Sequence, residues 1–243
     1  MHCFHLSAEE SIPYAIAESA RARRVTLKFS ALGGLVVVVP AGFDTSRVPE
    51  IVDGKRAWIA RVARRLMPRM NRMESEPELP DTVMLRAAGK TVRVVYAFSV
   101  RPFSVREKDD ILELCGRYDA ARVHAVLRDW LRHRARHVLV PMLLSLAKEY
   151  RISVQAVHIR LQRSRWGSCS AAGSINLNAR LLFLPEELAR YVCAHELAHR
   201  VYHNHSPAFW AHLESLMPGA GRLDRELRDA GDFVPRWAFV PAE

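Results

Sequence analysis

The chain has 243 residues, 49% of them hydrophobic, and carries 36 Lys and Arg against 26 Asp and Glu, a formal charge of +10. A chain this long buries roughly 70–75% of its unfolded surface, so its core needs no disulfide or metal staple. Its longest apolar runs, residues 35–39 and 138–147, are too short to span a bilayer, and the start MHCFHLSAEES has no apolar core segment, so neither a membrane span nor a secretory signal is expected.

Four cysteines, Cys3, Cys115, Cys169 and Cys193, show no paired spacing, which speaks against a disulfide framework and a four-thiolate zinc site and for a reducing cytoplasm. In chain order, one short strand is expected at residues 12–14. RVTLKF alternates, and the Gly33-Gly34 pair turns it into LVVVVP, predicting a β-hairpin. Asp44 or Ser46 opens a helix to about Met67, with Ile51, Trp58, Ile59, Val62 and Leu66 inward and Arg56, Arg61, Arg64 and Arg65 outward. SEPELP reads as a linker. Strands follow at residues 82–85 and 91–97, and PFSVRE pairs with ILELCG around Lys108-Asp109-Asp110. Residues 1–117 are therefore expected to form a β-rich N-terminal region with one basic helix.

The second expected region is residues 118–243. Asp119 opens a long helix to about Tyr150 that Pro141 kinks or restarts. VQAVHIRL is a strand, SCSAAGSINLN a hairpin turning at residues 171–173, and INLNARLLF a strand reaching Phe183. Further on come a helix over residues 207–216, a turn at 219–221, a short helix over 222–230 and a loose tail. No internal repeat is visible.

One stretch dictates a chemistry: His195-Glu196-Leu197-Ala198-His199. Residues four apart on a helix lie on one face, a rise of roughly 6 Å apart, so two imidazoles converge on one ion. Glu196 sits about 100° round the axis, where it reaches a water held by that ion. The spacing makes His195 and His199 ligands and Glu196 the general base. Pro185, Glu186 and Glu187 start the helix, and its apolar sides predict burial.

The third ligand has three candidates. His203 continues the face but lies about 12 Å along the axis from His195 if the helix runs on. Asn204 suits a left-handed helix end, and Ser206-Pro207 is a start signal for the next helix, so His205 falls on a tight corner and is favoured. Glu214 on the following helix is the outside competitor. For support of an oxyanion the nearby side chains are Tyr202, His203 and His212.

The run HELAHRVYHNHSPAFW, with RSRWGSCS and INLNARLL upstream and ARARRVTLKFS near the start, resembles the YgjP-type family of zinc metallopeptidases, relatives of the SprT-like proteases. The resemblance implies an α+β, zincin-like catalytic domain whose active-site helix packs on a small sheet, with zinc held by His195, His199 and His205 and Glu196 catalytic. Its substrate would be a protein or peptide, laid along a sheet edge assigned to residues 165–170 or 175–178. One departure is Arg200-Val201-Tyr202, where a Leu is expected after the second His; it touches the walls of the site rather than its ligands.

Two other readings compete. One is a nucleic-acid-associated module with a structural zinc closed by Cys169 or His203. The other is a zinc hydrolase of a small amide or ester in a deep pocket. The arginine-rich charge makes DNA or another nucleic acid a candidate partner, as for SprT-like proteases, and solvated helix faces are the plainer explanation.

Overall fold

The computed structural model describes residues 2–6, 10–31, 33–100, 102–162 and 164–239. It is an α+β chain that divides into two compact units, Met1–Glu76 and Pro77–Glu243.

In the first unit, strands β1 (His2–His5), β2 (Ser11–Ser19), β3 (Thr26–Ser30) and β4 (Gly34–Pro40) form a sheet in the order β1-β2-β4-β3. The predicted hairpin is β3–β4, turning at Gly34 with a left-handed φ of 61°. The N-terminal strand expected at 12–14 is longer, because β2 pairs with β1 on one side and runs parallel to β4 on the other. Alternation along β4 turns Leu35, Val37 and Val39 into a core with Ile12, Tyr14, Val48, Val52 and Ile59. The single helix expected from residue 44 is instead a short 3-10 turn capped by Asp44, then α1 (Val48–Asp53) and α2 (Arg56–Ser75). Gly54 stands at the break, where its conformational entropy makes helix continuation unfavourable.

The second unit opens with β5 (Thr82–Leu85), β6 (Lys90–Phe98), β7 (Ser104–Lys108) and β8 (Ile111–Gly116), ordered β5-β6-β8-β7. This repeats the strand order and directions of the first sheet: two antiparallel hairpins joined by a parallel central pair. The sequence showed no such repeat. Asp109 and Asp110 both take left-handed conformations in the two-residue β7–β8 turn, the geometry that matches strand twist. The units part after Glu76, inside the SEPELP linker and well before the boundary expected after residue 117. The physical reason is that Val83, Leu85, Val92, Val94, Leu112 and Leu114 join one core with Val123, Leu127 and Leu131 of the long helix.

That helix, α3 (Ala120–Glu149), is capped by Asp119, which accepts from the Arg122 N–H at 2.7 Å. It runs through Pro141 without restarting, since Leu139, Leu143 and Leu146 continue one buried stripe across the proline. Strands β9 (Ala156–Arg160), β10 (Gly167–Cys169) and β11 (Ser174–Asn178) follow in the order β10-β11-β9, with β11 parallel to β9 and antiparallel to β10. The strand expected to reach Phe183 stops at Asn178, whose side chain accepts from the Arg180 N–H and starts a buried 3-10 turn. Helices α4 (Glu186–Ala198), α5 (Pro207–Leu216) and α6 (Ala220–Leu227) complete the unit. The expected loose tail is largely packed, with Val234 and Trp237 buried; residues 240–243 lie outside the described residues. No helix among the described residues is long and apolar enough to cross a membrane.

Candidate metal centre

Helix α4 starts after Pro185 with Glu186 and Glu187 in its first turn, where they complement the positive end of its dipole. Leu188, Val192, Cys193, Ala194, Leu197 and Ala198 are buried against α3, β10, α5 and α6, which fixes the direction in which His195 and His199 project. Burial pushes the Cys193 thiol up to about 12, as for a packing residue.

The helix ends earlier than the sequence implied. Ala198 is its last residue and His199 its C-cap, with the N–H groups of Val201 and Tyr202 both bonding back to Ala198 O. The departing residue Arg200 is the cause. Its guanidinium donates to the carbonyls of Ser153 and Ala171 and lies over Gly173, pulling the chain away from the helix axis. Asn204 does not take the left-handed conformation; its Oδ1 accepts from the Ser206 N–H at 3.3 Å. Ser206 then caps α5 by accepting from the Phe209 N–H at 3.4 Å, as the sequence predicted.

This corner carries His205 to the face that His195 and His199 share. Ring centroids stand 4.9, 5.1 and 4.8 Å apart around the triangle, and one ring nitrogen from each, free to serve as a ligand atom, lies within 4.8 Å of the others. Among the described residues this is the one such group of three or more His, Cys, Asp or Glu, so neither His203 nor Cys169 joins it. Glu214 accepts from the Gly219 N–H at 2.7 Å, and Tyr202 packs edge-on to His212. The axial-distance argument against His203 fails with the early helix end, yet His203 is exposed and outside the cluster.

Nothing in the residue pattern singles out Phe209, although it is half of the FW pair. Its fully buried ring lies 5.0, 4.6 and 4.9 Å from the rings of His195, His199 and His205. Hydrogen bonds settle which nitrogen each helix imidazole presents. His199 Nδ1 lies 2.9 Å from the Tyr202 carbonyl, which only accepts, so Nδ1 carries the proton and Nε2 keeps its lone pair. His195 Nδ1 lies 3.4 Å from the Tyr191 hydroxyl, which donates to Asp224 Oδ1 at 3.2 Å. Its Nε2 therefore faces His205 Nε2, 3.1 Å away. Tyr191 was legible as the residue four before His195; Asp224 carries no sequence signal.

Glu196 is buried, and its Oε2 has no hydrogen-bond partner among the described residues. It lies against Gly167 of the edge strand β10 so closely that a Cβ there would stand 2.5 Å from Oε1. Asn178, also buried, holds this edge in place: its Nδ2 donates to the carbonyls of Gln162 and Arg165, and its N–H to that of Trp166.

The profile of the YgjP-like metallopeptidase domain matches residues 23–230. The chain belongs to the YgjP-like metallopeptidase family. It is a metal-dependent peptidase, and its substrates are proteins or peptides. No curated protein matches the chain. A solved structure similar to it is that of the metallopeptidase zymogen of Pyrococcus abyssi abylysin, with 27% identity over 37% of this chain and 90% of that one, at a TM-score of 0.34.

The residues present fit the divalent metal that a YgjP-like peptidase requires. Zinc stands about 2.0–2.1 Å from imidazole nitrogens, which sets tetrahedral ligands roughly 3.4 Å apart. The 3.1 Å pair meets that, and side-chain movements of about an ångström bring in the third. Burial, with the neighbouring rings of His199 and His205, holds His195 down at about 4, and burial lowers His199 as well, so both are neutral near pH 7, the form that ligates. Burial pushes Glu196 up to about 8, against the opposing pull of Arg165.

A folded-state pKa above the unfolded value near 4.5 means that Glu196 keeps a proton the unfolded chain releases, so it costs stability as pH rises from about 4.5 to 8. In chelator-stripped protein, Glu196→Gln is therefore expected to be the more stable form, with an advantage on the order of a few kcal/mol that grows over this window and then levels off. Denaturant unfolding at a series of pH values checks it, and a constant difference from pH 4 to 9 would count against the buried carboxylate.

Proposed function

We propose that the protein hydrolyses peptide bonds using a zinc ion held by His195, His199 and His205, with Glu196 as the general base. The observation that carries this reading is the convergence of the three imidazoles beside a buried carboxylate whose Oε2 has no partner among the described residues. What zinc supplies in such a site is polarisation of the scissile carbonyl and a lowered pKa for water. Glu196 takes a proton from the attacking water at its carboxylate and passes it to the leaving amine. With no fourth His, Cys, Asp or Glu in the cluster among the described residues, the arrangement favours an open, catalytic site over a structural zinc. The position of β10, an edge strand against Glu196, favours an extended peptide over a small amide or ester. Four unpaired cysteines suit a cytoplasmic location.

Glu196→Gln keeps the side chain's shape but cannot take up the proton; zinc content should be retained and peptidase rate should fall by about 10² to 10⁴. Gly167→Ala should lower the rate too with zinc retained, because its methyl group displaces the Glu196 side chain. Cleavage at the parental rate by Glu196→Gln would falsify the general-base assignment.

The assignment of the third ligand is checked by zinc titration of His205→Ala beside His203→Ala. Loss of a ligand should cost at least the roughly 10- to 100-fold typical of changes one shell out. His203→Ala is expected to bind as the parent does, and the reverse order would move the third ligand to His203.

Association with nucleic acid is a second proposal, supported by the charge of +10 and by Arg61, Arg64 and Arg65 exposed along one side of α2. Binding to DNA should be sequence-independent and weaken by orders of magnitude between roughly 50 and 200 mM salt. Undetectable binding to single- and double-stranded DNA at low salt removes it.

A further inference from the structure

His195, in the last turn of α4, and His199, its C-cap, are not held alike. His199 is oriented by a neutral backbone carbonyl, whereas His195 is the start of a chain that ends on a charge: Nδ1 to the Tyr191 hydroxyl at 3.4 Å, then to Asp224 Oδ1 at 3.2 Å. Tyr191 is fully buried one turn before His195, so its ring is fixed by packing and its hydroxyl is confined to these two groups. Asp224 comes from a different helix, α6, and its other oxygen is held by Arg228 at 3.0 Å, which leaves Oδ1 aimed at the tyrosine. A buried phenol needs one acceptor, and a neutral carbonyl would serve. A carboxylate does more, because its charge favours the partial positive charge that an imidazole acquires when its Nε2 donates to a cation.

We propose that Asp224, acting through Tyr191, is a positioning pair that fixes the tautomer and direction of His195 and raises its strength as a metal ligand. This rests on the ligand assignment proposed above. In it α6 becomes part of the metal centre, and His195 is the more strongly held of the two helix ligands. Because the Tyr191 hydroxyl spends its proton on Asp224 Oδ1, the direction of the chain is set: Nδ1–H of His195 donates to the hydroxyl, and the hydroxyl to Asp224.

The test is competition titration of the full chain with zinc against a chromophoric chelator, for the parent, Tyr191→Phe, Asp224→Asn, Asp224→Glu and the Tyr191→Phe/Asp224→Asn double variant. Melting of the chelator-stripped proteins is followed in parallel, together with the visible spectrum of the cobalt-loaded forms. Tyr191→Phe and Asp224→Asn should each weaken zinc binding by about 10- to 100-fold and shift the cobalt bands. The double variant should lie within about two-fold of Tyr191→Phe, since Asp224 acts only through that hydroxyl. Asp224→Glu, which keeps the charge, should recover part of what Asp224→Asn loses, even if its stripped form melts lower. Zinc binding by Tyr191→Phe or Asp224→Asn within about two-fold of the parent, losses that multiply in the double variant, or Asp224→Glu binding worse than Asp224→Asn would each overturn the proposal. A parent that takes up no zinc overturns the ligand assignment and this inference together, whereas a zinc-binding parent matched by its variants overturns the inference alone.

Discussion

The candidate centre depends on one packing arrangement, three imidazoles gathered around the buried ring of Phe209. An exposed histidine samples several rotamers, and ordering three of them on one point is entropically unfavourable. Here the aromatic floor restricts all three at once, with His199 nearly parallel to it at 27° and the other two edge-on. Phe209 holds its place because it is the third residue of α5, whose start is fixed by the Ser206 cap and Pro207. A helix-start signal thus sets the geometry of a site that lies just outside the helix.

The second constraint is the approach of β10 to α4. With Glu196 filling the space where any side chain of residue 167 would stand, the strand sits a backbone's width from the carboxylate. Such an approach needs support from behind, and the Asn178 carboxamide supplies it by holding the loop that leads into the strand. Asn178→Ala would leave those carbonyls without their side-chain donor.

Local signals told most of what was legible. The alternation of LVVVVP, the Asp119 and Ser206 caps, and the spacing of the two helix histidines are each set by a few neighbouring residues, and each appears as read. Misreadings occurred where a distant group intervenes. The end of α4 was placed by Asn204, whereas Arg200 reaching carbonyls about thirty and fifty residues back ends it sooner. The run of strands before Asp119 suggests a first region reaching residue 117, whereas burial of β5, β6 and β8 with α3 puts that sheet in the second unit. Tyr191 could have been found from helical periodicity; Asp224 is 33 residues farther on and only the packing of α6 brings it in. The matching strand orders of the two sheets escaped because strand order is a property of pairing, and sequences that share nothing can pair alike.

Arg200 also links two parts of the molecule that the chemistry would otherwise treat separately. It follows His199 directly, and its guanidinium grips the turn at Ala171 and Gly173 that closes the β10–β11 hairpin. The hairpin and His199 are therefore linked through one side chain. If a peptide adds along β10 as proposed, a tilt of that hairpin would pull on the residue next to His199 and be felt at the imidazole as tension.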